Sequence, residues 1–133
     1  MSSGSAEVLH PIIAEPGSPP IAAVGKSLVI REWTMSGPTY LHVHQADDEA
    51  WHVLEGKLRF KFEDREIDAT PGTTVFVPAG LAHTYTAIEP SRYLIILTPK
   101  IDNLIARLLD KSRTYDLRST LGEFDTVLVE PDT

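Results

Sequence analysis

The chain has 133 residues, 42% of them hydrophobic, with a formal net charge of −7 and no cysteine. That is apolar material for one core and one domain, and the acidic balance with scattered Lys and Arg argues against nucleic acid or an anionic membrane surface as partner. Without cysteine there are no disulfides, no thiolate nucleophile, no iron–sulfur cluster and no Cys-type structural zinc. No apolar run approaches the roughly 20 residues of a membrane span. Residues 1–10 lack the basic start and apolar stretch of a signal peptide, so a cytoplasmic protein is expected.

Taken in order, residues 1–6 are small and polar and are expected to fray. Val8-Leu9 and Ile12-Ile13 suggest a short strand that Pro11 confines to an edge. Glu15 to Pro20 contains Pro16, Gly17, Pro19 and Pro20 and reads as an irregular connection. Residues 1–26 thus form an N-terminal arm. From Ser27 the chain becomes a series of short runs rich in Val, Ile, Thr and aromatic residues, broken by turn signals. This is the pattern of an all-β sandwich or barrel. The strands are predicted at 27–34, 39–44, 49–54, 57–63, 65–69, 73–77, 82–88 and 92–98. Gly56 is expected to turn tightly with positive φ, and Pro71-Gly72 and Pro78-Ala79-Gly80 are further turns.

Parity assigns the faces. Leu58, Phe60 and Phe62 share one face of their strand, with Lys57, Arg59 and Lys61 on the other. The run from Tyr93 to Leu97 is apolar on both sides, as in a strand covered twice or placed at a subunit contact. Beyond residue 98, Ile101, Leu104, Ile105, Leu108 and Leu109 recur at helical spacing, predicting an amphipathic helix over 101–111 capped by Asp102 or Asn103. In the tail, 120–123 reads as a turn or short helix and 126–129 as a strand. Residues 99–133 are expected to pack on the barrel as a C-terminal helix and tail.

His42 and His44 fall on one face of a strand, so both rings can approach one ion at the ~2.1 Å of a metal–nitrogen bond. Glu49 opens the next strand after a polar loop, and His83 follows the turn at Pro78-Ala79-Gly80. A His-x-His pair alone fits equally well two buried histidines bonded to backbone carbonyls. With Glu49 and His83 added, the set suits one divalent transition metal ion: Fe, Mn, Ni, Cu or Zn. Four protein ligands leave positions open on a six-coordinate ion, as a catalytic metal requires.

These residues resemble the two motifs of the cupin superfamily. His42-x-His44-x4-Glu49-x6-Gly56 is similar to the first motif, although Gly37 lies one residue too close to His42. Gly72-x5-Pro78-x-Gly80-x2-His83 is similar to the second, with Ala87 in place of its final Asn. The resemblance implies a double-stranded β-helix, or jelly-roll barrel, over 27–98. It implies a metal held by His42, His44, Glu49 and His83, and a homodimer. Asp48 competes with Glu49, but Glu49 has the right separation from Gly56. Parity turns His52 away from the ligands, and His10 reads as structural.

The same parity places Tyr40 with His42 and His44, Tyr85 with His83, and Trp51 with Glu49. Tyr40 and Tyr85 are candidate catalytic groups beside Glu49. Trp51, Phe60 and Phe62 are candidate pocket walls, and Arg31 is a candidate anchor for a substrate carboxylate. The expected activity is that of a mononuclear metal dioxygenase or related oxidoreductase acting on a small aromatic or enolic molecule. A looser likeness of the segment after Leu97 to bacterial quercetinase-type cupins points the same way. The alternatives are a non-oxidative metal isomerase, lyase or decarboxylase, and a non-catalytic small-molecule-binding cupin.

Overall fold

Alternating burial along short strands builds two facing layers. A computed structural model of the protein describes residues 9–130. In chain order the elements are β1 (Ala22–Val24), β2 (Val29–Trp33), β3 (His42–His44), β4 (Glu49–Glu55), β5 (Leu58–Lys61) and β6 (Glu66–Ala69). They continue with β7 (Thr74–Val77), β8 (Thr84–Ala87), β9 (Arg92–Leu97), α1 (Pro99–Leu109), α2 (Leu117–Glu123) and β10 (Thr126–Leu128). Among the described residues, no helix is long and apolar enough to cross a membrane.

One layer is a five-stranded antiparallel sheet in the order β1-β2-β9-β4-β7. The other joins β6-β5-β8 to the pair β10-β3. The join is an antiparallel bridge in which His42 and His83 exchange both backbone hydrogen bonds, at 3.1 and 3.0 Å. The result is a jelly roll, as the motifs implied. Strands distant in sequence become neighbours, and the two histidine-bearing segments are joined directly.

The core follows the parity. Glu49, Trp51 and Val53 of β4 point inward, as do Leu58 and Phe60 of β5 and Tyr93, Ile95 and Leu97 of β9. Trp51, Val53, Leu58, Phe60 and Tyr93 are completely buried. The opposite face of β9, with Leu94 and Ile96, is only half-buried, so the chain itself covers one side of that strand. A register row of Ala23, Ile30, Ile96, Ala50 and Phe76 crosses all five strands on this outer face.

Several expectations are corrected. Residues 9–13 form no strand, and Leu9, Ile12 and Ile13 are exposed; Val8 lies outside the described residues. Pro11 removes a donor from that short segment. The edge strand is instead Ala22–Val24, inside the stretch read as an irregular arm, where it pairs with Val29–Arg31. His10 is exposed, not structural. Helix α1 starts at Pro99 and ends at Leu109, with Thr98 as its cap, not Asp102 or Asn103. Thr98 Oγ1 accepts from the Ile101 amide at 3.3 Å, and Pro99 fits the first helical position, where no amide donor is needed. Asp102 is thereby free to reach Arg31.

Gly56 joins β4 to β5 with φ +84°, and a Cβ there would stand 2.4 Å from the Pro90 carbonyl oxygen and 2.3 Å from Ser91 Oγ. Backbone conformation and space both demand glycine. Gly56→Ala is expected to cost at least about 1–3 kcal/mol, read as a lowered midpoint in thermal or urea unfolding.

Candidate metal centre

Three backbone segments bring the candidate ligands together. β3 presents His42 and His44 on its buried face, and β4 opens with buried Glu49. His83 arrives through its bridge to His42. The Pro78–Gly80 turn is docked onto the first motif by two bonds. The Gly80 amide donates to the His44 carbonyl at 2.8 Å, and the Ala79 amide donates to Asp48 Oδ1 at 2.9 Å. Asp48 is therefore an exposed turn-holding residue, and Glu49 faces the histidines.

The ligand atoms of His42, His44, Glu49 and His83 all lie within 4.8 Å of one another, and all four residues are buried. The Nδ1 atoms set the tautomers. His83 Nδ1 donates to the Leu81 carbonyl at 2.9 Å and His42 Nδ1 faces the Tyr40 carbonyl at 3.4 Å. A carbonyl can only accept, so both protons sit on Nδ1. His44 Nδ1 lies 2.8 Å from Thr126 Oγ1, whose own hydroxyl donates to the Phe124 carbonyl at 3.2 Å. That oxygen accepts from His44. Each neutral ring is left with a lone pair on Nε2. His44 Nε2 and His83 Nε2 both stand 3.2 Å from Glu49 Oε1. Lone pairs gathered around a carboxylate repel one another unless a cation lies between them, so the donor set fits a divalent metal.

Electrostatics agrees. Burial, then the neighbouring His83 and His44 rings, push His42 down to about 3, so it remains a neutral ligand. Burial alone would raise the Glu49 carboxyl; protonated His44 and His83 rings would outweigh it and lower it to about 2, and with the rings neutral a cation would take over that role.

Residues 32–97 match the family model described as a cupin domain. The chain belongs to the cupin superfamily. Among solved structures, this cupin resembles a cupin-2 domain containing protein from Shewanella frigidimarina, with 28% identity and a TM-score of 0.52 over 59% of this chain and 78% of that one. It resembles KdgF from a Halomonas species at 22% identity and a TM-score of 0.54, covering 70% and 90% of the two chains. A protein from Neisseria meningitidis matches at 17% identity and a TM-score of 0.51, covering 60% and 83%. The last two are likenesses of fold. No curated protein matches the sequence.

In this cupin a cavity of about 370 Å³ opens onto the candidate metal centre, with His42, His44 and Glu49 in its floor. Tyr40, Trp51 and Tyr85 line it, as strand parity anticipated. Phe60 does not: it is completely buried behind Trp51, with ring centroids 5.1 Å apart. Phe62 packs on the core just beyond the end of β5 and likewise lies outside the cavity. Arg31 does not line this cavity; it lines a smaller adjoining pocket of about 110 Å³ together with Asp102. Its guanidinium grips Asp102 of α1 through two bonds, at 2.7 and 2.9 Å, and so ties β2 to the helix. His52 faces away and pairs with Thr74 Oγ1 at 2.7 Å.

Three features had little or no signal in the sequence. Thr126, in a three-residue strand, pairs directly with His44. Tyr93 accepts from the Tyr85 hydroxyl at 2.7 Å and donates to the Met35 carbonyl, making a hydroxyl chain behind the wall. Its inward parity was visible in the sequence; its partner was not. Burial pushes Tyr85 up to about 12 and raises Tyr93 as well, so both remain protonated. The third feature is the cavity roof, formed by Ile101, Leu104, Ile105 and Leu108 of α1 with Leu121 of α2. The helical stripe was legible, but not what it would cover.

His44→Ala is expected to abolish stoichiometric metal while His52→Ala retains it, measured by metal analysis of the purified proteins. Thr126→Val, which keeps the shape but removes the acceptor for His44 Nδ1, should weaken metal affinity about 10–100-fold in a competition assay with a chelator, with the fold intact by circular dichroism.

Proposed function

We propose that this cupin is a mononuclear metal-dependent oxidoreductase of the dioxygenase type, acting on a small aromatic or enolic substrate. One observation carries the reading. Apart from the candidate metal ligands, no His, Asp, Glu, Lys or Arg among the described residues lines the cavity. An isomerase, lyase or decarboxylase moves protons and works best with a positioned group that titrates near the operating pH. Here burial raises the phenols of Tyr40 and Tyr85, and Tyr85 already commits its proton to Tyr93. A cavity so poor in acids and bases suits chemistry centred on the ion.

His42, His44, Glu49 and His83 would hold the metal. When bound, it supplies Lewis acidity and, for a redox-active ion, electron transfer with O2. The chain does the rest. The three Nδ1 hydrogen bonds fix the ring orientations. Trp51 and Tyr85 wall the reacting region, and the apolar roof excludes water. The Tyr40 hydroxyl has no hydrogen-bond partner among the described residues, and its position in the wall suits it to donate to a substrate oxygen.

The test is oxygen uptake by protein loaded anaerobically with Fe(II), Mn(II), Ni(II) or Cu(II), across catechols, flavonols and 1,3-diketones. Uptake should depend on both metal and substrate, and Tyr40→Phe should lower kcat by about 10²-fold with little change in KM. Turnover by the Zn(II)-loaded protein without O2, or no uptake with any bound compound at any metal, would overturn the reading.

A further inference from the structure

The cavity also carries information about what occupies it. Among the described residues, its imidazole and carboxylate groups are confined to the floor. Above them Trp33, Trp51, Ile95, Leu104, Ile105 and Leu108 enclose the space. No Lys or Arg is among the lining residues. The nearby cations are already committed. Arg31 is bound to Asp102 through Nε and one terminal nitrogen, and Lys100 lies 2.6 Å from Asp125 Oδ2. Apart from Tyr40 and Tyr85, the hydroxyls that line it, Ser36, Thr39 and Tyr115, belong to exposed residues at the rim. A carboxylate or phosphate held deep here would lose its hydration and gain no counter-charge, and beyond the Tyr40 hydroxyl and the unpartnered Trp51 indole N–H the hydroxyls of a sugar would lose water with few partners.

We propose that the cavity takes an uncharged, largely apolar molecule with one oxygen-bearing, metal-binding head, and rejects anionic and polyhydroxylated ones. The head reaches the floor at His42, His44 and Glu49, and the apolar body lies under α1. Its size is bounded by the cavity of about 370 Å³. At about 30 Å³ per water in the liquid, that is the room of roughly a dozen waters, which suits a one-ring or small two-ring compound. The inference rests on the metal-centre reading and is independent of whether O2 is consumed.

Three probes share a catechol head and differ only in their body: catechol, 4-tert-butylcatechol and 3,4-dihydroxybenzoate. Affinities are measured anaerobically by calorimetry on Zn(II)-loaded protein, where the ion is redox-silent. The only two tryptophans of the chain, Trp33 and Trp51, both line the cavity, so their fluorescence reports occupancy. The tert-butyl compound should bind about tenfold or more tighter than catechol, and the carboxylate at least about tenfold weaker than catechol. Leu108→Arg, which brings a cation to the roof, should reverse the order of the tert-butyl and carboxylate probes, with the fold checked by circular dichroism. Equal or tighter binding of the carboxylate by the unaltered protein, or no gain from the tert-butyl group, would overturn the proposal. So would stoichiometric Zn(II) with no binding of any probe, which leaves the metal centre standing. A chain that takes up no metal would overturn both. Correct selectivity without oxygen uptake under redox-active metals would remove only the dioxygenase reading.

Discussion

Three imidazole lone pairs and an ionised carboxylate are buried within 4.8 Å of one another, and much of the surrounding structure serves to hold that otherwise unfavourable arrangement. A flexible chain would relieve it by rotating a ring or exposing the carboxylate. Here neither is open. Each ring is tied at Nδ1: His42 to the Tyr40 carbonyl, His83 to the Leu81 carbonyl and His44 to Thr126. Glu49 is fixed by its place in β4, where it pairs with Val77 of β7. The site is pre-formed, so a cation entering it pays little to order its ligands.

The roof depends on interactions of a different kind. Helix α1 buries Ile101 and Leu104, and paired charges outside that stripe hold it in place. Arg31 ties Asp102 to β2, Lys100 reaches Asp125 beside β10, and Arg107 meets Glu123 of α2 at 3.0 Å. Partly exposed pairs like these contribute little stability singly. Their geometry nevertheless sets the helix orientation, and with it the shape of the space above the metal. Arg31, which as a lone cation would suit a substrate carboxylate, acts instead as an internal fastening.

The four candidate ligands and the barrel were legible because both rest on local regularities. Period-two alternation places His42 with His44 and Trp51 with Glu49, and glycine at position 56 marks the turn that keeps this register. What escaped the sequence is long-range. Thr126 meets His44 from 82 residues away, and Asp102 meets Arg31 from 71, and no spacing rule links such pairs. The helix start differs because Asp102 is a competent cap in isolation, whereas Thr98 and Pro99 start the helix earlier and leave Asp102 inside its first turn. Phe60 and Phe62 have inward parity, but parity does not separate a wall from the core behind it. The edge strand Ala22–Val24 had too little side-chain pattern to be seen and is held by pairing with β2.

The pairing of β10 with β3 gives the order of synthesis a consequence. A ribosome delivers His42, His44, Glu49 and His83 well before Thr126. A nascent chain that has just emerged through Leu97 therefore carries every ligand but lacks the hydroxyl that orients His44 and the helices that close the cavity. Because contacts of such long sequence separation form slowly, the last segment made is the one that puts a roof over the candidate metal-binding side chains. An ion captured early would sit in an open, wet site, and its apolar roof would form over it.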